Sequence, residues 1–86
     1  MDSIVIDYYK KRFGENLQSA FIHLVREIGE IALSLEKANS DHAKLKITES
    51  IALLYYIASK YSIDVNTNMQ SLYTKKMETL TKTSTR

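Results

Sequence analysis

The chain contains no cysteine, no proline and no tryptophan, and only two glycines among its 86 residues. Without cysteine, no disulfide can staple the fold and no thiolate can hold a metal. Without proline, and with glycine only at 14 and 29, the punctuation of a many-turned β protein is missing. No apolar run approaches the roughly 20 residues that a membrane-crossing helix needs. The stretch from Met1 to Asp7 has no basic region and too short an apolar run for a secretory signal. The expectation is a small, soluble, cytoplasmic protein with no membrane partner.

A concentrated basic surface is also lacking. The formal charge is +2. Residues 1–74 nevertheless carry eight Lys/Arg against nine Asp/Glu, and residues 75–86 carry four against one. The basic excess therefore belongs to the C-terminal end. Nucleic-acid binding needs a clustered footprint of positive charge, and none is expected here.

What is present is helical periodicity. Val5, Tyr9 and Phe13 fall four apart, and Gly14 follows where a helix would end. Leu17, Phe21, Leu24, Ile28, Ile31 and Leu35 recur with a 3.6-residue period, predicting a second helix over roughly 16–37. Asn39, Ser40 and Asp41 each make a good N-cap for a third helix over roughly 41–61. Its stripe is Ile47, Ile51, Leu54, Ala58 and Tyr61, while Ala52, Leu53, Tyr55, Tyr56 and Ile57 carry apolar surface almost all the way round. A helix apolar on every side must be buried on every side. One 86-residue chain offers too few partners, so an all-α helical hairpin that dimerises into a multi-helix bundle is predicted. Asp64 or Asn66 can cap a fourth helix carrying Val65, Met69, Leu72, Tyr73, Met77 and Leu80. Residues 1–80 read as one domain, and 81–86 as a disordered polar tail.

Three carboxylates stand out among the apolar positions. Glu27 and Glu30 are three apart and project from one side of the second helix. Glu49, on the third helix, can aim at the same point from an antiparallel neighbour. Oxygen clusters of this kind hold hard divalent cations. The alternative is a solvated helix face, although an unpaired charge among apolar neighbours is costly.

The segment Leu24-Val-Arg-Glu-Ile-Gly-Glu-Ile-Ala32, an apolar helix after it, and Ser62-Ile-Asp-Val65 resemble the MazG-like nucleotide pyrophosphohydrolases. The resemblance covers roughly residues 8–80. The family carries E-E-x-x-E on one helix and E-x-x-D on the next. Glu27 and Glu30 fit the first motif, with Arg26 at its first acidic position. Glu49 falls at the Asp of the second motif, and Lys46 at its Glu. The resemblance implies an all-α fold and cleavage of a nucleoside triphosphate to monophosphate and pyrophosphate. Glu27, Glu30 and Glu49 would be the catalytic and metal-holding residues for Mg²⁺ or Mn²⁺, and Lys75 and Lys76 would meet the phosphates. Two functional classes stay open: an enzyme of this kind, with Lys46 impairing it, and a non-catalytic relative acting as a helical nucleotide-binding or protein-interaction module.

Lys46 has two readings. Its ammonium can take the place of the metal in a salt-bridge network, or it can swing out along its stem and leave a three-carboxylate site. His42 is expected as a surface histidine and His23 as a core-edge histidine bonding a carboxylate. Gly29 is expected to permit close helix–helix approach beside the acidic cluster. Tyr55, Tyr56 and Tyr61 are expected in the core or an interface rather than stacked on a base.

Overall fold

A computed structural model describes residues 3–84 as four α-helices: α1 Ser3–Phe13, α2 Leu17–Glu36, α3 Ser40–Ser59 and α4 Val65–Ser84. No strand occurs among the described residues, so the all-α prediction holds. No helix is long and apolar enough to cross a membrane, among those same residues.

Each connection follows from local chemistry. Gly14 adopts φ +59° and its N–H donates to Lys10 O at 2.8 Å, ending α1 in the left-handed conformation that glycine reaches without a Cβ penalty. Asn16 then caps α2 by accepting the Ser19 N–H at 3.0 Å. Asn39 caps α3 in the same way, accepting the His42 N–H at 3.1 Å. Asp64 does so for α4, accepting the Thr67 N–H at 3.1 Å. Two connections turn at residues other than glycine, one at Ala38 and one at the start of the Ser62-Ile-Asp-Val65 segment. Ala38 and Ser62 both take φ +55°. The Asn39 N–H donates to Ser34 O and the Ile63 N–H to Ala58 O, closing a Schellman turn after each central helix.

α2 and α3 pack along each other as an antiparallel hairpin, and α1 crosses mainly onto α3. Tyr9, Ala20, Leu24, Leu53 and Tyr56 form the buried core, with Val5, Phe13, Leu17 and Ile57 packed around it. Tyr56 locks the arrangement by donating its hydroxyl proton to Gly14 O at 2.5 Å. Lys60 pairs with Glu15 at 3.2 Å across the same corner. Of the three tyrosines, Tyr56 is core, Tyr55 donates to Asn66 Oδ1 at 2.7 Å, and Tyr61 is exposed.

α4 makes no extensive contact with the other three helices. Its apolar residues Met69, Leu72, Tyr73, Met77 and Leu80 are all exposed. It continues as helix to Ser84, into the segment read from sequence as an unstructured tail. Thr85 and Arg86 lie outside the described residues.

Candidate functional site

The register of the hairpin sets the site. α2 carries His23, Glu27 and Glu30 at successive turns of one face, and α3 carries His42, Lys46 and Glu49 likewise. Because the helices run antiparallel, the two rows face each other. Lys46 Nζ stands 3.3 Å from Glu27 Oε2, 3.0 Å from Glu30 Oε2 and 3.3 Å from Glu49 Oε1. All three sequence-predicted carboxylates are therefore brought to one point, and an ammonium occupies that point. Of the two readings of Lys46, the salt-bridge network is the one observed.

Glu27 is the anchor of the cluster. It is only 4% exposed, and its other oxygen, Oε1, pairs with His23 Nε2 at 3.4 Å. This is the role expected of His23. Glu27 Oε2 and Glu49 Oε1 are buried, and the Lys46 ammonium stands 3.3 Å from each. Three carboxylates against one ammonium leave the cluster short of positive charge.

The electrostatics follow from these distances. The bond to Glu30, joined by Glu49 and Glu27 and opposed by partial burial, raises the Lys46 ammonium well above the ordinary lysine range. The reciprocal bond from Lys46 lowers the Glu30 carboxyl below its ordinary value. α1 roofs the cluster on one side. Burial raises the Tyr9 phenol, with the negative charge of Glu49 adding to it, and the Phe13 ring centre lies 5.8 Å from that of His23.

Ser34 and His42 form a second polar contact one turn towards the α2–α3 connection. Ser34 is 2% exposed and donates its one hydroxyl proton to Glu30 O at 2.8 Å. The 2.5 Å contact between Ser34 Oγ and His42 Nδ1 must then be donated by the histidine. His42 is thus half-buried and bonded, which corrects its reading as a surface residue. Sequence reasoning missed the pair. The available signal was a serine and a histidine eight apart across a predicted turn.

Gly29 also needs correction. A Cβ built there meets no atom within 4 Å, so no helix of the same chain approaches it closely. Lys75 and Lys76 lie on α4, which makes no extensive contact with α2 or α3. Lys76 instead covers the Tyr73 ring at 5.8 Å. Within one chain these lysines are not gathered to the carboxylates.

As donors for a hard divalent cation, three carboxylates with two buried oxygens facing one point are chemically suitable. As arranged, with Lys46 between them, no group of three or more His, Asp or Glu side chains among the described residues is set to hold a metal directly. The cluster fits such an ion only with the ammonium withdrawn. No protein-family model matches the chain, and neither the curated proteins nor the solved structures include a match.

Proposed function

We propose that this chain is a MazG-like helical domain in which a nucleoside triphosphate pyrophosphohydrolase centre is closed by its own lysine, leaving a helical nucleotide-binding or protein-interaction module. The observation that carries this reading is the position of Lys46 Nζ, 3.0–3.3 Å from all three carboxylates. A tethered cation at that point is always present at high local concentration, and its three carboxylate contacts outweigh the hydration that partial burial costs it. It therefore competes well against millimolar Mg²⁺.

The module is proposed to act as a homodimer or a higher homo-oligomer. The support is apolar exposure: Phe21, Val25, Ile28, Ile51 and Leu54 are each at least half exposed on the central hairpin. An apolar surface of this extent marks an interaction site rather than a solvated face.

The second reading is the active enzyme, favoured by three carboxylates whose oxygens, two of them buried, converge on one point. With Lys46 swung out, Glu27, Glu30 and Glu49 would hold Mg²⁺ or Mn²⁺. The ion would neutralise phosphate charge and activate a water. Glu27, fixed by His23, would set the position of the group. Pyrophosphate release from a panel of ordinary and modified triphosphates separates the readings. The proposal expects none from the wild type with either metal. Robust turnover abolished by Glu27→Gln would establish the enzyme instead.

A further inference from the structure

Between α1 and α3 lies an open cavity of about 310 Å³, at the small end of the range for small-molecule sites. α1 lines it with Ile4, Val5, Tyr8 and Tyr9, and α3 with Glu49 and Ala52. Helical spacing gathers the set, because residues three or four apart share one side of a helix. Tyr8 and Tyr9 form two walls of a corner: their ring centres are 4.9 Å apart and their planes meet at 82°. Tyr9 is the fixed wall, buried, stacked on Phe13 at 6.0 Å and tilted against Tyr56 at 5.9 Å. Tyr8 is the outer wall, more than half exposed. Arg12 Nη1 donates to the Tyr8 hydroxyl at 3.5 Å, while its guanidinium covers the Phe13 ring at 5.3 Å and does not line the cavity.

The charged group on the wall is a carboxylate. Glu49 turns Oε1 to Lys46 at 3.3 Å, yet 37% of its side chain is exposed. Behind it, three carboxylates share one ammonium, so the excess charge is negative. Tyr9 senses that field: burial raises its phenol most, Glu49, Tyr8 and Glu27 raise it further, and Arg12 opposes them. An anion is therefore repelled. A bare metal ion also fits poorly, since one carboxylate among apolar walls cannot replace a hydration shell. A quaternary ammonium ion fits on every count. Its charge is weakly hydrated and attracted to aromatic ring faces, and its methyl groups can cover Ile4, Val5 and Ala52.

We propose that this corner binds a small quaternary ammonium ion of about the size of choline, its charge held between the Tyr8 and Tyr9 rings and against the Glu49 carboxylate. The site uses the exposed part of Glu49 and leaves the Lys46 contacts in place. It therefore stands or falls independently of the triphosphate reading of the carboxylate cluster.

The test is a titration of the full chain with choline chloride, followed by two-dimensional NMR at constant ionic strength. The neutral isostere of choline, with carbon in place of the nitrogen, is titrated in parallel. Choline should shift the resonances of Ile4, Tyr8, Tyr9 and Ala52 saturably, and the isostere should bind about fivefold more weakly or worse. Tyr8→Leu and Glu49→Gln should each weaken choline by about the same factor and leave the isostere unchanged. Tyr8→Leu keeps apolar bulk at an exposed position outside the Lys46 network, so it decides the matter if Glu49→Gln disturbs the fold. Absence of saturable shifts at these residues would overturn the proposal. Equal binding of the isostere would reduce the corner to an apolar cleft and overturn it too. Choline binding that survives Tyr8→Leu undiminished would place the ion elsewhere, with the same consequence.

Discussion

Lys46 and Glu27 depend on each other through burial: the ammonium stands 3.3 Å from Oε2 of a carboxylate that is only 4% exposed. Removing one partner of such a pair leaves a charge with neither water nor a counter-ion. Lys46→Met is expected to lower Tm by roughly 10 °C or more at neutral pH. Lys46→Met/Glu27→Gln should recover part of that loss, because the second change removes the stranded charge. Calorimetry of the four proteins in the cycle measures the coupling, and additive losses would show that the pair is not coupled.

The pH dependence of this network has a defined sign. Lys46 is raised, so its contribution is complete below the ordinary lysine pKa of about 10.4 and is lost as pH rises through its folded value. Glu30 is lowered by Lys46, and Asp64 by the Thr67 N–H and hydroxyl. Their contributions are complete above the ordinary carboxylate range of about 4 and are lost as pH falls through their folded values. Stability should therefore be flat with respect to these groups between about pH 5 and pH 10. Urea midpoints across that range check it, and a step near neutrality would mean that another group controls the fold.

Two helix ends carry avoidable strain. Ala38 and Ser62 hold φ +55°, where a side chain other than glycine costs about 1–2 kcal/mol. Ala38→Gly and Ser62→Gly should each stabilise the chain by about 0.5–1 kcal/mol, after the entropy that glycine adds to the unfolded state. A rise in Tm for each variant, additive in the pair, is the expected result. A fall would mean that the Ala38 or Ser62 side chain makes a contact worth more than the strain.

Tyr56 joins the core to the first turn. Tyr56→Phe keeps the buried ring but leaves Gly14 O without its 2.5 Å donor. The expected loss is about 1–3 kcal/mol, read from the shift in denaturant midpoint at constant slope. A loss near zero would indicate that water replaces the hydroxyl at Gly14.

Much of this was legible in the sequence. Periodicity gave the helices but not their buried faces: Leu24 of the α2 stripe is core, whereas Phe21, Ile28 and Leu35 of that stripe and Ile47, Ile51 and Leu54 of the α3 stripe are exposed, and Leu53 and Tyr56 are buried instead. Asn39 and Asp64 cap where polar residues interrupt the rows. Glu27, Glu30 and Glu49 could be placed together because helical spacing and an antiparallel turn leave few alternatives. The position of Lys46 could be narrowed to two states but not decided, since a flexible stem reaches both. The Ser34–His42 bond was invisible because it depends on the detailed rotation of α2 against α3. The turns at Ala38 and Ser62 carried no glycine to announce them. The separation of α4 from the body was equally hidden, because an apolar row is the same whether its partner lies in the chain or in another copy.

The central claim is that Lys46 stands where a divalent cation would otherwise stand. Thermal melts of the wild type and of Lys46→Glu, each with and without several millimolar Mg²⁺, test it most directly. Without metal, Lys46→Glu should melt far below the wild type, because four carboxylates then face one another with no counter-ion. With Mg²⁺ it should recover much of that loss, since an ion bound only by the folded state stabilises it by mass action. The wild type should melt at the same temperature in both conditions. Equal responses of the two proteins to Mg²⁺ would contradict the claim and remove Lys46 from the place of the metal.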